Sequence, residues 1–465
     1  MTDTDQPSDS ASKPVLTARE LAYQVLEQYR DSYQFVSALC EELSRDKTIS
    51  PEDYRLAVEL THGIVRRKLT LEAVILAHVN RPKENIEPGL WTLLELGVYQ
   101  LVFLDQVPHH AAVHETVELC KKNGQSRSAG FINGVLRGVT RSLTSDYTES
   151  PGQDTVPISP QRYLKLKLNV FPDQESQPAE FFSSAFSFPK WLIKRWRTRF
   201  NDTELLDLCF WFNAAPATWL RVNRLKGKPD ELARQLVDAG KTVETGPFPD
   251  SLFVERAGRI DLLPGFEEGL FCVQDLTAMH ASVMLAPKPG ETILDLCSAP
   301  GTKTTHIAEL MNDTGTVIAT DSKKERLAKV DENCQRLGLK CIETIPILPS
   351  GEDIPAGPFD AVLLDVPCSN TGVLGKRPEA RWRLKPEDIV EFSQLQLRLL
   401  HTAIYELKPG GRLVYSTCSI EPEENQLVIA DILKQHPSLK LVEEEAYDPG
   451  DPADGGYQAL LVKQA

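Results

Sequence analysis

The 465-residue sequence has no Cys-x-x-Cys pair, no apolar run of membrane-spanning length and no surplus of basic residues. Nine cysteines, an odd number without paired spacing, exclude a disulfide framework and the usual zinc-ligand patterns. Most of them are expected as small buried residues in a reducing compartment. A bilayer span needs about 20 apolar residues, and no stretch approaches that length, so no membrane association is expected. Residues 1–14 are polar and rich in Ser and Asp. They lack the basic start and apolar core of a signal peptide. These features together point to a cytoplasmic protein. A formal net charge of −15 argues against binding nucleic acid over the whole surface. Local basic patches remain at Arg66-Arg67-Lys68, at Lys190 with Lys194, Arg195, Arg197 and Arg199, and at Arg381, Arg383 and Lys385. Taken singly, each reads first as a solvated helix face.

What is present falls into blocks, since a chain this long exceeds one core. Residues 1–15 read as a disordered tail. Residues 16–142 read as nearly all helix. Thr17 with Glu20 is a capping box, and Ser50-Pro51-Glu52-Asp53 is a helix start. Leu56, Leu60 and Ile64, then Leu90, Leu93, Leu94, Val98 and Leu101, recur at helical spacing. Residues 143–184 turn to Ser, Thr, Pro, Asp and Gln and read as a linker or surface excursion, with a candidate strand at 163–170. Residues 185–285 read as a small α/β unit. Helices are expected at 189–200, 203–213 and 229–239, with strands at 218–223 and near Leu252 and Phe271. Its aromatics beside Arg and Lys suit an RNA surface and a small core equally. From 286 to 465 strands and helices alternate, with strands at 292–296, 316–320, 359–364 and 412–416. A long helix at 386–407 is broken by Lys408-Pro409-Gly410-Gly411. Such α/β alternation builds a parallel, Rossmann-like sheet covered on both faces. Ligands bind such sheets beyond the carboxyl ends of the strands.

The first of these strands runs into Asp295-Leu296-Cys297-Ser298-Ala299-Pro300-Gly301-Thr302-Lys303-Thr304, a strand–turn–helix that presents backbone N–H groups to a ligand. It is neither G-x-G-x-x-G nor a P-loop, which excludes both nucleotide fingerprints. The second strand runs to Asp321. A carboxylate there can accept from both ribose hydroxyls of an adenosyl cofactor, or cap the following helix. Loop and Asp321 together favour an adenosyl cofactor.

Two cysteines follow the ends of neighbouring strands, in Asp365-Val366-Pro367-Cys368 and in Ser416-Thr417-Cys418. Packing alone does not explain that placement, whereas chemistry does. C5 of cytosine is a poor nucleophile until a thiolate adds at C6. A carboxyl group near N3 stabilises the charge that develops. Loss of the C5 proton then releases the thiolate. One acidic thiol, one carboxyl group and one further proton-handling group are needed, and Cys418, Asp365 and Cys368 can fill these places. His109, His110 and His114 lack a further well-spaced ligand, so packing at a helix start is expected and a metal is not.

Pro-Cys on one strand end and Thr-Cys on the next resemble the RNA cytosine-5 methyltransferases. The resemblance implies that Cys418 is the nucleophile, that Cys368 assists product release and that Asp365 contacts the base at N3. It implies S-adenosyl-L-methionine as cofactor, held by Cys297, Ser298, Ala299, Pro300, Gly301, Thr302, Lys303, Asp321 and Asp365. DNA cytosine-5 methyltransferases use the Pro-Cys cysteine instead, and amino-methyltransferases place Asn/Asp-Pro-Pro-Tyr/Phe at this position. The helical region is similar to a NusB-type RNA-binding domain through Val107-Pro108-His109-His110-Ala111-Ala112-Val113-His114 and Phe131-Ile132-Asn133-Gly134-Val135-Leu136-Arg137. Val273-Gln274-Asp275, Arg377-Pro378-Glu379, Arg381-Trp382 and Glu421-Pro422-Glu423-Glu424-Asn425 fit as well. This domain order is similar to the bacterial small-subunit rRNA methyltransferases of the RsmB (Sun/Fmu) type. That likeness implies a monomer that methylates C5 of a 16S rRNA cytosine, nucleotide 967 in the family, through a covalent Cys–C6 adduct. The RNA would be an unassembled or partly assembled small subunit. The same chemistry on tRNA or large-subunit rRNA, and a noncatalytic RNA-binding or assembly protein, stay as alternatives. Two departures stand out. Thr302 replaces the second Gly of Gly-Gly-Lys, which requires a backbone without positive φ. The segment 344–350 offers no carboxylate for the adenine side, and Asp353 comes too late unless the loop rearranges.

Overall fold

The computed structural model describes residues 15–32, 34–450 and 453–464. The expected tail, apart from Val15, lies outside the described residues. The chain forms two compact units, Met1–Asn213 and Ala214–Ala465.

In the first unit, helices α1 (Ala18–Arg30), α2 (Val36–Ser44), α3 (Pro51–Arg66), α4 (Lys68–Leu76), α5 (Pro88–Phe103), α6 (His109–Lys122) and α7 (Ala129–Ser142) follow one another. The Thr17–Glu20 capping box starts α1, and Ser50 caps α3 with Pro51 in its first turn. Helix α5 is buried almost all round, through Leu93, Leu94, Leu96, Val98 and Leu101 among others. Such a helix belongs at the centre of a bundle, and α1, α3, α4, α6 and α7 pack against it. His109, His110 and His114 are exposed, so the packing expected of them does not occur.

Residues 143–184 are not a bare linker. They hold β1 (Leu143–Thr148), β2 (Thr155–Ser159) and β3 (Arg162–Leu166), an antiparallel sheet of order β1-β3-β2. Val156, Leu164 and Leu166 are buried on one face and Tyr163 with Pro157 on the other, between polar residues that hid the strands. Helices α8 (Pro178–Phe186), α9 (Lys190–Trp196) and α10 (Asp202–Asn213) complete the unit. Their aromatics are core: Trp196 packs 5.6 Å from Phe188 and 5.9 Å from Phe212, ring centre to ring centre. The basic patches shrink accordingly. Arg66 and Arg67 are buried, and Arg67 donates to Pro157 O at 3.1 Å. Arg197 pairs with Asp202 at 3.2 Å, and Arg381 is buried.

The second unit begins with β4 (Thr218–Val222), α11 (Pro229–Asp238), β5 (Thr242–Thr245), β6 (Ser251–Glu255) and β7 (Phe271–Val273), an antiparallel sheet of order β5-β6-β4-β7. The mostly exposed β5 was not expected. Then come α12 (Leu276–Leu285), β8 (Thr292–Leu296), α13 (Thr302–Leu310), β9 (Thr316–Asp321), α14 (Lys324–Leu337), β10 (Ile342–Pro346), β11 (Phe359–Asp365), α15 (Ala380–Arg383), α16 (Pro386–Glu406), β12 (Leu407–Thr417), α17 (Gln426–Gln435), β13 (Leu439–Tyr447) and β14 (Gly456–Lys463). The sheet order is β10-β9-β8-β11-β12-β14-β13. The pairings from β10 to β12 are parallel, and β14 is antiparallel to both neighbours. Strand alternation supplies two cores. Leu294, Leu296, Val362 and Leu364 face Leu400, Ala403 and Ile432 of α16 and α17. Ile293, Ala361 and Leu363 face Ala281, Leu285 and Ile307 of α12 and α13. Strand β12 starts at Leu407 rather than at 412, because the Gly410-Gly411 stretch joins it through an irregular register.

Arg221 of β4 ties the small sheet to α13. Its guanidinium reaches the buried Glu309 at 2.8 Å and Thr305 Oγ1 at 3.0 Å, and the partly buried Thr302 O at 2.7 Å. Arg221→Met strands the Glu309 carboxylate and is expected to cost about 3–5 kcal/mol. Chemical denaturation measures it. Arg221→Met with Glu309→Leu should recover much of the loss, because no charge is then buried.

Candidate active site

The chain runs outward from β8 through β9 to β10, then crosses to β11 on the other side of β8. That reversal opens a crevice above the strand ends. The register levels those ends: Leu296 opposes Thr320 and Leu364, Asp321 opposes Pro346, and Asp365 opposes Ser416.

The loop after β8 is shaped by two residues with positive φ, Cys297 at 67° and Gly301 at 95°. Glycine suits the second position doubly, since a Cβ there would also lie 3.0 Å from Val330 Cγ1 of α14. Gly301 caps α13, and Thr302 is its first helical residue. The Thr302 departure therefore costs nothing in backbone conformation. Ser298 N donates to Thr320 O at 2.7 Å, and Pro300 O accepts from Asn333 at 3.1 Å. The Ala299 carbonyl accepts from Arg326. Cys297 packs against the sheet core, and burial, with Asp321 nearby, pushes its thiol up, which disfavours the thiolate.

Three buried polar atoms near these strand ends take no hydrogen bond: Asp295 Oδ1, Ser298 Oγ and Asp321 Oδ2. Asp321 Oδ2 is 2.9 Å from Arg326 Nη1, but off the direction of a hydrogen bond, while Oδ1 accepts from Lys323 N at 2.9 Å. Burial pushes the Asp295 carboxyl up to about 7, against the Thr304 hydroxyl that bonds it at 2.5 Å. Orphaned buried polar atoms are costly. Three of them close to neighbouring strand ends fit a polar ligand there. The loop after β10 offers no aligned carboxylate. Asp353 is exposed and accepts from Leu348 N at 2.6 Å, closing its own turn.

On the other side of the crevice, β11 delivers Asp365 and Cys368, and β12 delivers Cys418. Lys303 Nζ lies 2.8 Å from Asp365 Oδ1. Burial pulls the Lys303 ammonium down, but Asp365 outweighs it, so the net direction is up and the cation persists. Cys368 Sγ and Cys418 Sγ are 3.3 Å apart. Their environments drive them in opposite directions. The hydrogen bond from Cys368 pulls Cys418 below the ordinary thiol range. Burial opposes this, whereas Arg377 and Lys303 support it. The same bond, with burial and the adjacent Cys418 charge, holds the proton on Cys368. Cys418 is thus the ionisable member of the pair, and Cys368 its donor. Asn370 Oδ1, 3.4 Å from Cys418 Sγ, accepts a hydrogen bond from the thiol when Cys418 is not ionised. Burial pushes Cys334 and Cys341 up to about 12.

Family models match along the chain in three places. The NusB family matches residues 16–141, the RsmF/B-like ferredoxin-like domain matches 188–261, and 16S rRNA methyltransferase RsmB/F matches 282–461. A probable ribosomal RNA small subunit methyltransferase B of Synechocystis is 37% identical over 428 residues, covering 91% of this chain and 90% of the relative. Ribosomal RNA small subunit methyltransferase B of Salmonella dublin is 36% identical over 460 residues, covering 96% and 98%. The chain belongs to the 16S rRNA methyltransferase RsmB/F family. Its fold agrees: the crystal structure of PH0851 superposes with a TM-score of 0.78 at 26% identity, covering 97% of this chain and 100% of that one. The chain is accordingly an rRNA methyltransferase with NusB, ferredoxin-like and methyltransferase domains. No helix among the described residues is long and apolar enough to cross a membrane.

Sequence reasoning missed Asn370, Arg326 and Glu424 at this site. Asn370 sits in the left-handed region at φ 61°, two residues after Cys368. Nothing in an isolated Asn signals that. Glu424 stood inside a motif already singled out, but its burial could not be read from an acidic run.

Proposed function

We propose that this protein methylates C5 of a cytosine in 16S rRNA, nucleotide 967 in the family's numbering, through a covalent bond between Cys418 and C6. The observation that carries the reading is the 3.3 Å cysteine pair, with one thiol favoured to ionise and the other to keep its proton. S-adenosyl-L-methionine, when bound, supplies the electrophilic methyl group. Asp321 would take the ribose hydroxyls, with Ser298 and the N–H groups of the 297–303 loop around the rest.

The Cys418 thiolate adds to C6, and a proton taken up at N3 is shared with the Asp365 carboxyl that Lys303 steadies. C5 then carries the density that accepts the methyl group. Once Cys418 is bonded to carbon, the charge that kept the Cys368 proton in place is gone. Cys368 can lose that proton to solvent and take the one from C5. The Cys418 thiolate leaves, N3 gives back its proton, and the pair returns to its starting state with one proton released. The target base must leave any stacked arrangement, at about a few kcal/mol, which favours a loop or unfolded RNA. Residues 16–142 and 185–285 are the proposed RNA-holding parts, and the protein is proposed to act as a cytoplasmic monomer without a metal.

The test is transfer of labelled methyl to small-subunit rRNA with the modified base mapped. Label at C5 of one cytosine is expected, and label only on tRNA or large-subunit rRNA would move the substrate. Asp321→Ala is expected to weaken cofactor binding about 10–100-fold, the loss of hydrogen bonds to a charged acceptor. Titration calorimetry measures it, and undiminished binding would remove Asp321 from the site.

A further inference from the structure

Glu424 is fully buried in a short 3₁₀ turn (Pro422–Glu424) after the Thr-Cys motif. Its backbone is pinned by Tyr415, whose hydroxyl donates to Glu424 O at 2.6 Å. Its side chain touches the residue after each cysteine. Oε1 accepts from Ser369 N at 2.8 Å and from Gln396 Nε2 at 3.1 Å. Oε2 accepts from the Ser369 hydroxyl and from Ser419 Oγ at 2.5 Å. Gln396 of α16 also holds Pro367 O at 2.9 Å. One carboxylate thus bridges the Pro-Cys loop and the Thr-Cys loop. Four donors fill its four lone-pair positions, which opposes the burial that pushes its carboxyl up. Desolvating a carboxylate this completely is expensive, and the same loops are also joined by neutral groups, Ser369 Oγ with Ser419 Oγ at 3.0 Å and Gly372 N with Cys418 O at 2.9 Å.

We propose that Glu424 is a positioning residue that locks the two cysteine loops together, so that Cys368 Sγ stays within hydrogen-bond reach of Cys418 Sγ. A shift of the loops by one ångström would leave Cys418 without its donor. The proposal rests on the reading that the two cysteines act as a pair. It predicts that the bridge matters by geometry, so an isosteric amide should serve. In Glu424→Gln the amide oxygen can keep Ser369 N and Gln396, and both serine hydroxyls can rotate to accept from its NH₂.

The test is the pH dependence of Cys418 alkylation by iodoacetamide in the full-length protein, followed by peptide mapping, alongside turnover. Glu424→Ala is expected to move the alkylation midpoint up, slowing the reaction about tenfold at neutral pH, one pKa unit of thiolate lost. It should lower kcat about 100-fold, with KM for RNA and cofactor affinity within about twofold, as the 100-fold loss is of alignment rather than binding. Glu424→Gln should recover most of both. In a Cys368→Ala background, Glu424→Ala should slow alkylation no further. If Glu424→Ala does not fold, Ser419→Ala removes the hydroxyl that ties the Cys418 loop to Glu424, together with its contacts to Ser369, Thr371 and Glu421 N, and should move the midpoint the same way. A midpoint unmoved in the folded variant, or Glu424→Gln as impaired as Glu424→Ala, overturns the proposal. An active Cys418→Ala enzyme would instead sink the cysteine-pair reading, whatever Glu424 does.

Discussion

Cys418→Ala is expected to reduce methyl transfer to small-subunit rRNA by at least about 10⁴-fold, the scale on which removal of a covalent nucleophile acts. RNA binding should persist, because the substitution removes one sulfur from a half-buried position, with its contacts to Cys368 and Asn370, and breaks no ion pair. The measurement is single-turnover transfer of labelled methyl, with RNA retention on a filter as the control. The pH dependence of the wild-type rate has a definite sign. The thiolate fraction rises with pH, and Cys368, Arg377 and Lys303 draw the Cys418 proton off below the ordinary thiol range. The rate should therefore climb and level off at a lower pH than for a free thiol, and Cys368→Ser, a weaker acid beside it, should displace the limb. A fully active Cys418→Ala enzyme would end the covalent mechanism.

Where the sequence was legible, a local rule coincided with the global fold. Strand β8 occupies 292–296, and α16 begins at Pro386, as expected, because apolar runs between Gly-Pro breaks leave little choice of element. Both cysteines lie just past neighbouring strand ends, since the β–α alternation dictates which ends are adjacent. Three kinds of information were not legible. Of the sheet at 143–166 only β3 was anticipated, by the candidate strand at 163–170; the other two strands escaped because they are half polar, and pairing rather than composition makes them strands. The basic patches misled because Arg66, Arg67 and Arg381 carry their charge into buried positions, and for Arg67 that depends on the Pro157 carbonyl, remote in sequence. Thr302 looked like a misfit in the cofactor loop, but α13 starts one residue after Gly301, so the left-handed position never fell on it. The third-strand carboxylate stays missing, as Asp353 is spent on its own turn.

Cys368→Ala separates the two cysteines by what accumulates. Cys418 keeps its place, with Lys303 and Arg377 still near, but it loses the hydrogen bond that favours its thiolate most. Addition to C6 should slow, without stopping. Methyl transfer needs no group from Cys368, so it should follow. Release is different: the C5 proton must go somewhere before the S–C6 bond can break, and alanine offers nothing. Turnover is expected to fall about 10²–10⁴-fold, the usual contribution of a positioned proton acceptor. Methylated RNA should stay bonded to Cys418 and survive a denaturing gel as a slow-moving band. The band should need S-adenosyl-L-methionine, carry the methyl label, and vanish when Cys418 is also replaced by Ala. A band without label would place the block before methyl transfer. A Cys368→Ala enzyme that turns over at the wild-type rate with no band would assign the C5 proton to another group, and the 3.3 Å contact would then serve only to make Cys418 a stronger acid.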